Sequence, residues 1–222
     1  MKKLSYFVSL TLIVSILFTK WPKIDVLFSN IFFSSINKKF YFENNKTLYF
    51  IGNLAYFFMS LLLIYNIFSI IRKTIHHKLI NINLFKKEVI FLLTFFIGST
   101  LVIQGFMKHY FGRPRPIDII NFGGSKDFIP AYHISSQCKY NCSFVSFHTS
   151  IGVLLIIFSL ERVNKIRKKL ATFSCLFLGC FGLTRILQGR HFLSDVIISA
   201  YIITIIYYII SYIYNKVINY PR

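Results

Sequence analysis

The sequence predicts an all-α, polytopic membrane protein, built as a bundle of six transmembrane helices with a long loop between the third and fourth. Two observations predict this fold. Apolar residues make up 55% of the 222-residue chain, whereas roughly 45–50% is usual in soluble domains. They also lie in long blocks instead of short periodic runs, as membrane-spanning helices require. The length is that of one domain, so residues 1–222 are expected to form a single membrane domain.

Six apolar blocks are each interpreted as a helix that crosses the bilayer. Crossing the ~30 Å of hydrocarbon takes ~20 helical residues. The fourth and fifth blocks reach that length only if they extend into their polar flanks. The predicted spans cover 4–19, 48–71, 88–107, 148–161, 170–187 and 195–214.

The first block has two possible roles. It follows Lys2 and Lys3, as the apolar part of a signal peptide would, but no small-residue cleavage site comes after it. A retained signal-anchor helix is therefore favoured. The next segment, 24–44, alternates apolar and polar residues unevenly and is expected to lie in the membrane interface.

The positions of lysine and arginine orient the helices. If the N-terminus is cytoplasmic, the tight basic clusters at 72–78 and 162–169 both lie in short cytoplasmic loops, where the positive-inside rule is most reliable. A count over all lysines and arginines favours this orientation only weakly. The long loop 108–147 then lies on the outer face of the membrane.

The formal net charge of +19 is interpreted as a property of the membrane flanks. In a soluble protein such a charge would suggest nucleic acid. Here most basic residues flank apolar blocks, where they would face anionic lipid headgroups, and no nucleic-acid motif is visible. The bilayer is thus the expected partner, and no obligate protein partner is evident.

Two cysteines of the outer loop, Cys138 and Cys142, are predicted to form a disulfide. A close pair in an exported loop is typical of one. A metal-binding pair is the alternative, but the remaining cysteines, Cys175 and Cys180, lie inside the fifth predicted span. The disulfide is therefore favoured.

Three polar clusters flank the predicted spans, and each is a candidate for chemistry because charge at a membrane is costly. The first contains Lys108 and Arg115, whose side chains suit phosphate oxygens. An ordinary juxtamembrane basic patch is the alternative. The second contains His148 and Ser146, and Ser146 is placed to cap the fourth helix and turn its amides towards an anion. A structural histidine is the alternative there.

The third cluster contains Arg185, His191 and Asp195. His191 and Asp195 are four residues apart, so a helix would place them on one face. A carboxylate that accepts from one imidazole nitrogen leaves the other nitrogen free as a base or nucleophile. Asp195 as a first-turn residue favoured by the helix dipole is the alternative.

Together the clusters supply three cations, two histidines, one orienting carboxylate and a hydroxyl. A metallophosphatase needs several carboxylates at one site, and the chain has only seven acidic residues. A cationic site with two histidines and without a metal or other cofactor is therefore predicted. The acids expected on the outer side are Glu43, Asp118, Asp127 and Asp195.

The three motifs Lys-x6-Arg-Pro, Ser-x-His and Arg-x5-His-x3-Asp resemble, in order and spacing, the type-2 phosphatidic acid phosphatase superfamily, which shares its site with vanadium haloperoxidases. The resemblance covers about 85–210. Within the superfamily, the segment 134–146 looks like the lipid A 4'-phosphatase branch of Gram-negative bacteria. The matching residues are Lys108, Arg115, Pro116, Ser146, His148, Arg185, His191 and Asp195.

The resemblance implies a mechanism. His191 would attack phosphorus and form a phosphohistidine, with Asp195 orienting it. His148 would protonate the leaving alkoxide and then activate water. The phosphate oxygens would be held by Lys108, Arg115, Ser146 and Arg185.

The sequence departs from the family pattern at two positions. The second motif usually reads Pro-Ser-Gly-His, and here Phe147 replaces the glycine. This removes the freedom to place φ above zero and is expected to crowd the backbone, which indicates either a pocket reshaped for a bulky lipid or reduced activity. Thr184 replaces the serine that usually opens the third motif, a mild change.

The function that the resemblance implies is hydrolysis of a lipid phosphate at the periplasmic face, with the 4'-phosphate of lipid A or its precursor as the preferred substrate. Undecaprenyl pyrophosphate, phosphatidylglycerophosphate and phosphatidate are alternative substrates. A non-catalytic binder or transporter of lipid phosphates and a phosphotransferase are alternative functions.

Overall fold

The computed structural model describes residues 2–77, 82–161 and 164–218, and most of them are helical. The α-helices are α1 (Lys2–Lys20), α2 (Lys23–Asn30), α3 (Lys46–His77), α4 (Lys86–Leu93), α5 (Lys108–Phe111), α6 (Phe147–Leu160), α7 (Asn164–Leu187) and α8 (Leu193–Ile218). A π-helix (Thr94–Met107) joins α4 to α5, and short 3-10 helices cover Ile82–Phe85, Pro116–Asp118 and Ile120–Phe122. Strands β1 (Phe33–Ser34) and β2 (Lys39–Phe40) form an antiparallel hairpin.

The helices fall at all six predicted apolar blocks. Among the described residues, four stretches have the length and apolarity to cross a membrane, namely Lys2–Lys20, Lys46–His76, Lys86–Asp118 and Leu193–Val217. The other two, Phe147–Leu160 and Ala171–Leu187, are shorter apolar helices. The prediction of a helical, multi-pass membrane protein is thus confirmed. Of the predicted cytoplasmic basic clusters, residues 78 and 162–163 lie outside the described residues.

Helix α6, which begins with the second motif, lies at the centre of the bundle. It packs against α3, α7, α8 and the π-helix, and its Ile151 and Leu154 are fully buried. The outer helices instead expose large apolar side chains, such as Phe57 and Phe68 of α3. Because such surfaces are unfavourable in water and suit hydrocarbon, the burial pattern agrees with a membrane environment.

A glycine ends the long helix that runs from α4 through the π-helix to α5. Gly112 has a φ of 51°, a left-handed conformation that costs other residues energy. A Cβ there would also lie 1.9 Å from the carbonyl oxygen of Ser135. The chain therefore turns sharply at Gly112 and directs Arg113 and Arg115 back over the end of the bundle.

The segment 24–44 folds as α2 and the β-hairpin. Its Phe40 packs in a small buried cluster with Ile119, Phe122 and Phe192. Phe40 also lies beside Gly189, where an added Cβ would approach its ring to 2.5 Å. The hairpin therefore supports the turn between α7 and α8 that carries His191.

Candidate active site

The three predicted polar clusters come together at one end of the bundle. Lys108, Arg115 and Arg185 all lie within electrostatic range of His148, as does His191. Lys108 and Arg115 also act electrostatically on His191. Residues separated by tens of positions in the chain therefore share one site.

His191 and Asp195 lie close together, but His191 precedes α8, so the two do not share a helix face. The expected hydrogen bond from the imidazole is also not formed, because His191 Nδ1 has no hydrogen-bond partner among the described residues. The imidazole Nδ1 lies 3.6 Å from the Asp195 Oδ2, and the same carboxylate oxygen accepts hydrogen bonds from the Phe192 backbone N–H at 2.8 Å and from the Ser143 hydroxyl. Burial lowers the pKa of His191 to about 4, although Asp195 opposes the shift. The imidazole is therefore neutral at neutral pH, the form that a nucleophile requires.

The acid limb of the pH–rate profile should follow from this pKa. Protonation would remove the attacking lone pair of His191 only as the pH falls towards about 4, well below the ~6.5 of an ordinary histidine. We expect the fall in kcat/KM that protonation of His191 causes to occur below pH ~6. The assay should use a phosphomonoester whose second pKa lies below the ~6 of an alkyl phosphate, so that protonation of the substrate does not cause the same fall. A limb centred near 6.5 with such a substrate would contradict the assignment.

A buried arginine holds the other side of the Asp195 carboxylate. Arg113 Nη1 donates to Asp195 Oδ1 at 2.6 Å and to Ser194 Oγ at 2.8 Å. Its Nη2 donates to Asp25 Oδ2 at 2.9 Å, and its Nε donates to the Ile129 carbonyl at 2.7 Å. The side chains of Arg113, Asp25 and Asp195 are at most 1% exposed. Asp195 is thus fixed by a buried network that begins in α2.

Asp25 and Arg113 are not among the site residues predicted from the sequence. Asp25 was absent from the acids expected on the outer side, and that expectation was wrong because the carboxylate lies beside Asp195 through Arg113. Two signals point to this network. The first motif contains a second Arg-Pro pair, Arg113-Pro114, and Asp25 is one of only seven acids in the chain.

Ser146 ties the second motif to the third. It is the N-cap of α6, as predicted, and its Oγ accepts from the Thr149 backbone N–H at 3.4 Å. Its own backbone N–H donates to the Asp195 carbonyl at 3.1 Å, and its carbonyl accepts from the Ser199 hydroxyl at 2.7 Å. These bonds fix the start of α6, and with it His148, against the start of α8.

Two of the three cations are held by hydrogen bonds to the backbone or to a neutral side chain, and the third is buried. Arg115 Nε donates to the Asn141 carbonyl at 3.0 Å, and Arg185 Nη1 donates to Gln188 Oε1 at 3.0 Å. The buried Arg185 Nε has no hydrogen-bond partner among the described residues. Lys108 is 4% exposed. Cations assembled in this way favour a bound anion, and their donors suit phosphate.

The donor set does not fit a metal ion. Within the described ranges there is no group of three histidine, cysteine, aspartate or glutamate side chains that is placed to bind one. The two buried carboxylates of the site, Asp25 and Asp195, are both occupied by Arg113. The chemistry available to this site is therefore that of two imidazoles surrounded by cations.

Comparison with known proteins identifies the family. The model of the PAP2 superfamily matches residues 89–219. The chain belongs to the PAP2 superfamily. All three motifs lie within the matched region, whereas Asp25 and α3 precede it.

Curated relatives carry a narrower name. A lipid A 4'-phosphatase of Francisella tularensis subsp. novicida is 39% identical over 134 residues, which are 58% of this chain and 60% of the relative. A lipid A 4'-phosphatase of Rhizobium leguminosarum is 32% identical over 105 residues, which are 47% of this chain and 45% of the relative. The aligned part therefore spans at most about 60% of the length of these relatives.

A solved structure supports the PAP2 fold over the whole chain. The crystal structure of a transmembrane PAP2-type phosphatidylglycerolphosphate phosphatase from Bacillus subtilis aligns with a TM-score of 0.59 at 16% identity, and the alignment covers 100% of both chains. At this identity the likeness establishes the fold.

The departure from the PAP2 glycine has a structural explanation. Phe147 is the first residue of α6 and has helical backbone, so the position does not require a glycine. Its ring stacks on Tyr56 of α3 at 6.0 Å between centroids, and Tyr56 packs edge-on against His148 at 5.0 Å. The expected crowding of the backbone is therefore wrong, because the phenyl ring extends towards α3.

Helix α3 completes one wall of the PAP2 site. A Cβ added at Gly52 would lie 3.3 Å from Arg185 Nη1 and 3.9 Å from His148 Nε2. The Tyr49 hydroxyl accepts from Arg190 Nη2 at 2.8 Å. The sequence analysis treated α3 only as a membrane span, because tyrosine and glycine in an apolar block give no sign of a nearby site.

Cys138 and Cys142 form a disulfide in the structure. They enclose Asn141, whose carbonyl holds Arg115. We expect the double variant Cys138→Ser/Cys142→Ser to lose about 2 kcal/mol of unfolding free energy and to show a raised KM, since Arg115 loses its support. Thermal unfolding in detergent and steady-state kinetics would measure both, with Cys175→Ser, an exposed free cysteine, as the control. An unchanged KM would contradict the link to Arg115.

Proposed function

We propose that the protein is a metal-free lipid phosphatase that removes the 4'-phosphate of lipid A or its precursor at the periplasmic face of a bacterial inner membrane. The observation that carries the proposal is the convergence of His191, His148 and three cations on one site. The 39% identical relative named lipid A 4'-phosphatase supports the choice of substrate.

The first half-reaction forms a phosphohistidine. His191 is neutral, and Asp195 lies on the Nδ1 side of its ring. The Nε2 lone pair therefore attacks phosphorus in line with the scissile P–O bond. As the P–N bond forms, the P–O bond breaks and His148 donates a proton to the leaving oxygen. The dephosphorylated lipid leaves, and Asp195 stabilises the positive charge on the phosphorylated imidazole.

The second half-reaction releases phosphate. His148, now neutral, accepts a proton from a water molecule, and the resulting hydroxide attacks phosphorus. The P–N bond breaks, inorganic phosphate forms and His191 returns to its neutral state. Lys108, Arg115 and Arg185 hold the phosphate oxygens in both steps, where charge stabilisation supplies most of the catalysis.

The membrane arrangement that we propose has six crossings, with the site at the outer end. Four stretches are long and apolar enough to cross alone. Helix α6 lies among α3, α7 and α8, and α7 packs along it, so both run within the bundle that the long helices form. The resulting outer loop between the third and fourth spans includes Arg113, Arg115 and the disulfide.

A direct assay tests the substrate. Detergent-solubilised protein should release phosphate from bis-phosphorylated lipid A, and mass spectrometry of the product should locate the loss at the 4' position. Activity in EDTA should equal activity without it. Unchanged lipid A together with dephosphorylation of phosphatidylglycerophosphate, phosphatidate or undecaprenyl pyrophosphate would reject the preferred substrate. Tight binding of lipid phosphate without turnover would instead indicate a non-catalytic binder, and a phosphorylated second lipid would indicate a phosphotransferase.

A further inference from the structure

We propose that Asp25 is a positioning residue of the phosphatase site, which acts on His191 through Arg113 and Asp195. The inference rests on the proposed function. Asp25 lies in α2, before the region that the PAP2 family model matches, and it is fully buried. A segment that precedes the family motifs would thereby be part of the catalytic machinery.

The hydrogen bonds of Asp25 show how it acts. Its Oδ2 accepts from Arg113 Nη2 at 2.9 Å and from the Ser194 hydroxyl at 2.6 Å, and its Oδ1 accepts from the Ser194 backbone N–H at 2.8 Å. Every one of these contacts brings a donor to the carboxylate, which suits the ionised, acceptor-only form. Asp25 therefore fixes both the guanidinium and the residue next to Asp195.

Charge balance gives Asp25 a role beyond holding the fold. Arg113 touches both Asp25 and Asp195. Burial raises the pKa of Asp25, whereas Arg113 and Ser194 oppose that shift. With both carboxylates ionised, the three side chains together carry one net negative charge. Without the Asp25 charge, the guanidinium would cancel that of Asp195. Phosphorylated His191 would then face a neutral pair in a low-dielectric site, where an unbalanced charge is most costly. Asp25 thus keeps Asp195 effective as the counter-charge of His191.

Asp25→Asn separates this role from substrate binding. The amide keeps the size and one acceptor but removes the charge, so kcat should fall about tenfold to a hundredfold, the scale of loss when a carboxylate that orients a metal-binding histidine is removed. The KM and the Ki of inorganic phosphate should change less than about threefold, because Lys108, Arg115 and Arg185 are untouched. Orthovanadate, which mimics the five-coordinate transition state, should lose inhibition in parallel with kcat.

Matched variants make the test decisive. Asp127→Asn removes an exposed carboxylate on the same side and should leave kcat unchanged. If Asp25→Asn does not fold, Ser194→Ala removes only the hydroxyl that bonds Asp25 and Arg113 and should lower kcat at an unchanged Ki for phosphate. A folded Asp25→Asn or Ser194→Ala variant with wild-type kcat would overturn the inference, as would an equal loss of phosphate and vanadate binding. Wild-type protein without turnover of any phosphomonoester would overturn the proposed function, and this inference with it.

Discussion

Replacing His191 by alanine should abolish phosphate release while the protein still folds and inserts. We expect turnover to fall by at least about a thousandfold, the scale seen when an enzyme loses its nucleophile. The imidazole is 2% exposed and lies beside Asp195. Phosphate release from the purified variant would measure the loss, as would trapping of labelled phosphoenzyme by an alkaline detergent quench, in which the acid-labile P–N bond survives.

A second histidine provides the control for this experiment. His109 lies next to Lys108 but is exposed on the helix surface, so His109→Ala should retain nearly all activity. Substantial turnover by His191→Ala, or a labelled phosphoenzyme in that variant, would reject His191 as the nucleophile. His148→Ala should differ from both, because it slows leaving-group protonation and water activation while His191 can still attack.

The sequence predicted the helices well because membrane helices are set by apolar length, which is a local property. The predicted span 48–71 lies within α3, Lys46–His77, and the span 195–214 lies within α8, Leu193–Ile218. Polar or basic residues directly follow each predicted C-terminal end, Arg72 in α3 and Asn215 in α8, so the apolar block stops before the helix does. The start of α6 was located because Ser146 is a good N-cap before an apolar run.

The sequence could offer candidate site residues because phosphate chemistry needs particular side chains at particular spacings. The four-residue interval predicted that His191 and Asp195 are neighbours, and their side chains lie 3.6 Å apart although His191 precedes α8. Asp25 was missed because its links to the site are Arg113 and Ser194, 88 and 169 residues away in sequence. No spacing rule connects them, and only the packing of α2 against α8 brings them together. Tyr56 was missed for the same reason, since contact with His148 depends on how α3 crosses α6.

The buried arginine of this network should be the most costly residue to remove. Arg113→Ala would leave Asp25 and Asp195 buried without their shared cation, and breaking such a pair typically destabilises a protein by about 3–5 kcal/mol. Arg113→Ala also removes the cation–π contact in which the guanidinium carbon Cζ lies 4.2 Å from the centroid of the Phe192 ring. We expect a large fall in the free energy of unfolding together with loss of activity.

An exposed ion pair on the same outer segment gives the comparison. Lys126 Nζ lies 3.7 Å from Asp118 Oδ2, with both side chains about one third exposed (35% and 36%), so Lys126→Ala should cost at most about 1 kcal/mol. Unfolding in detergent, followed by circular dichroism, would measure both variants. A loss for Arg113→Ala no larger than that for Lys126→Ala would mean that the two carboxylates find other donors or take up protons. That result would show that the Asp25–Arg113 network does not fix the position of Asp195 beside His191.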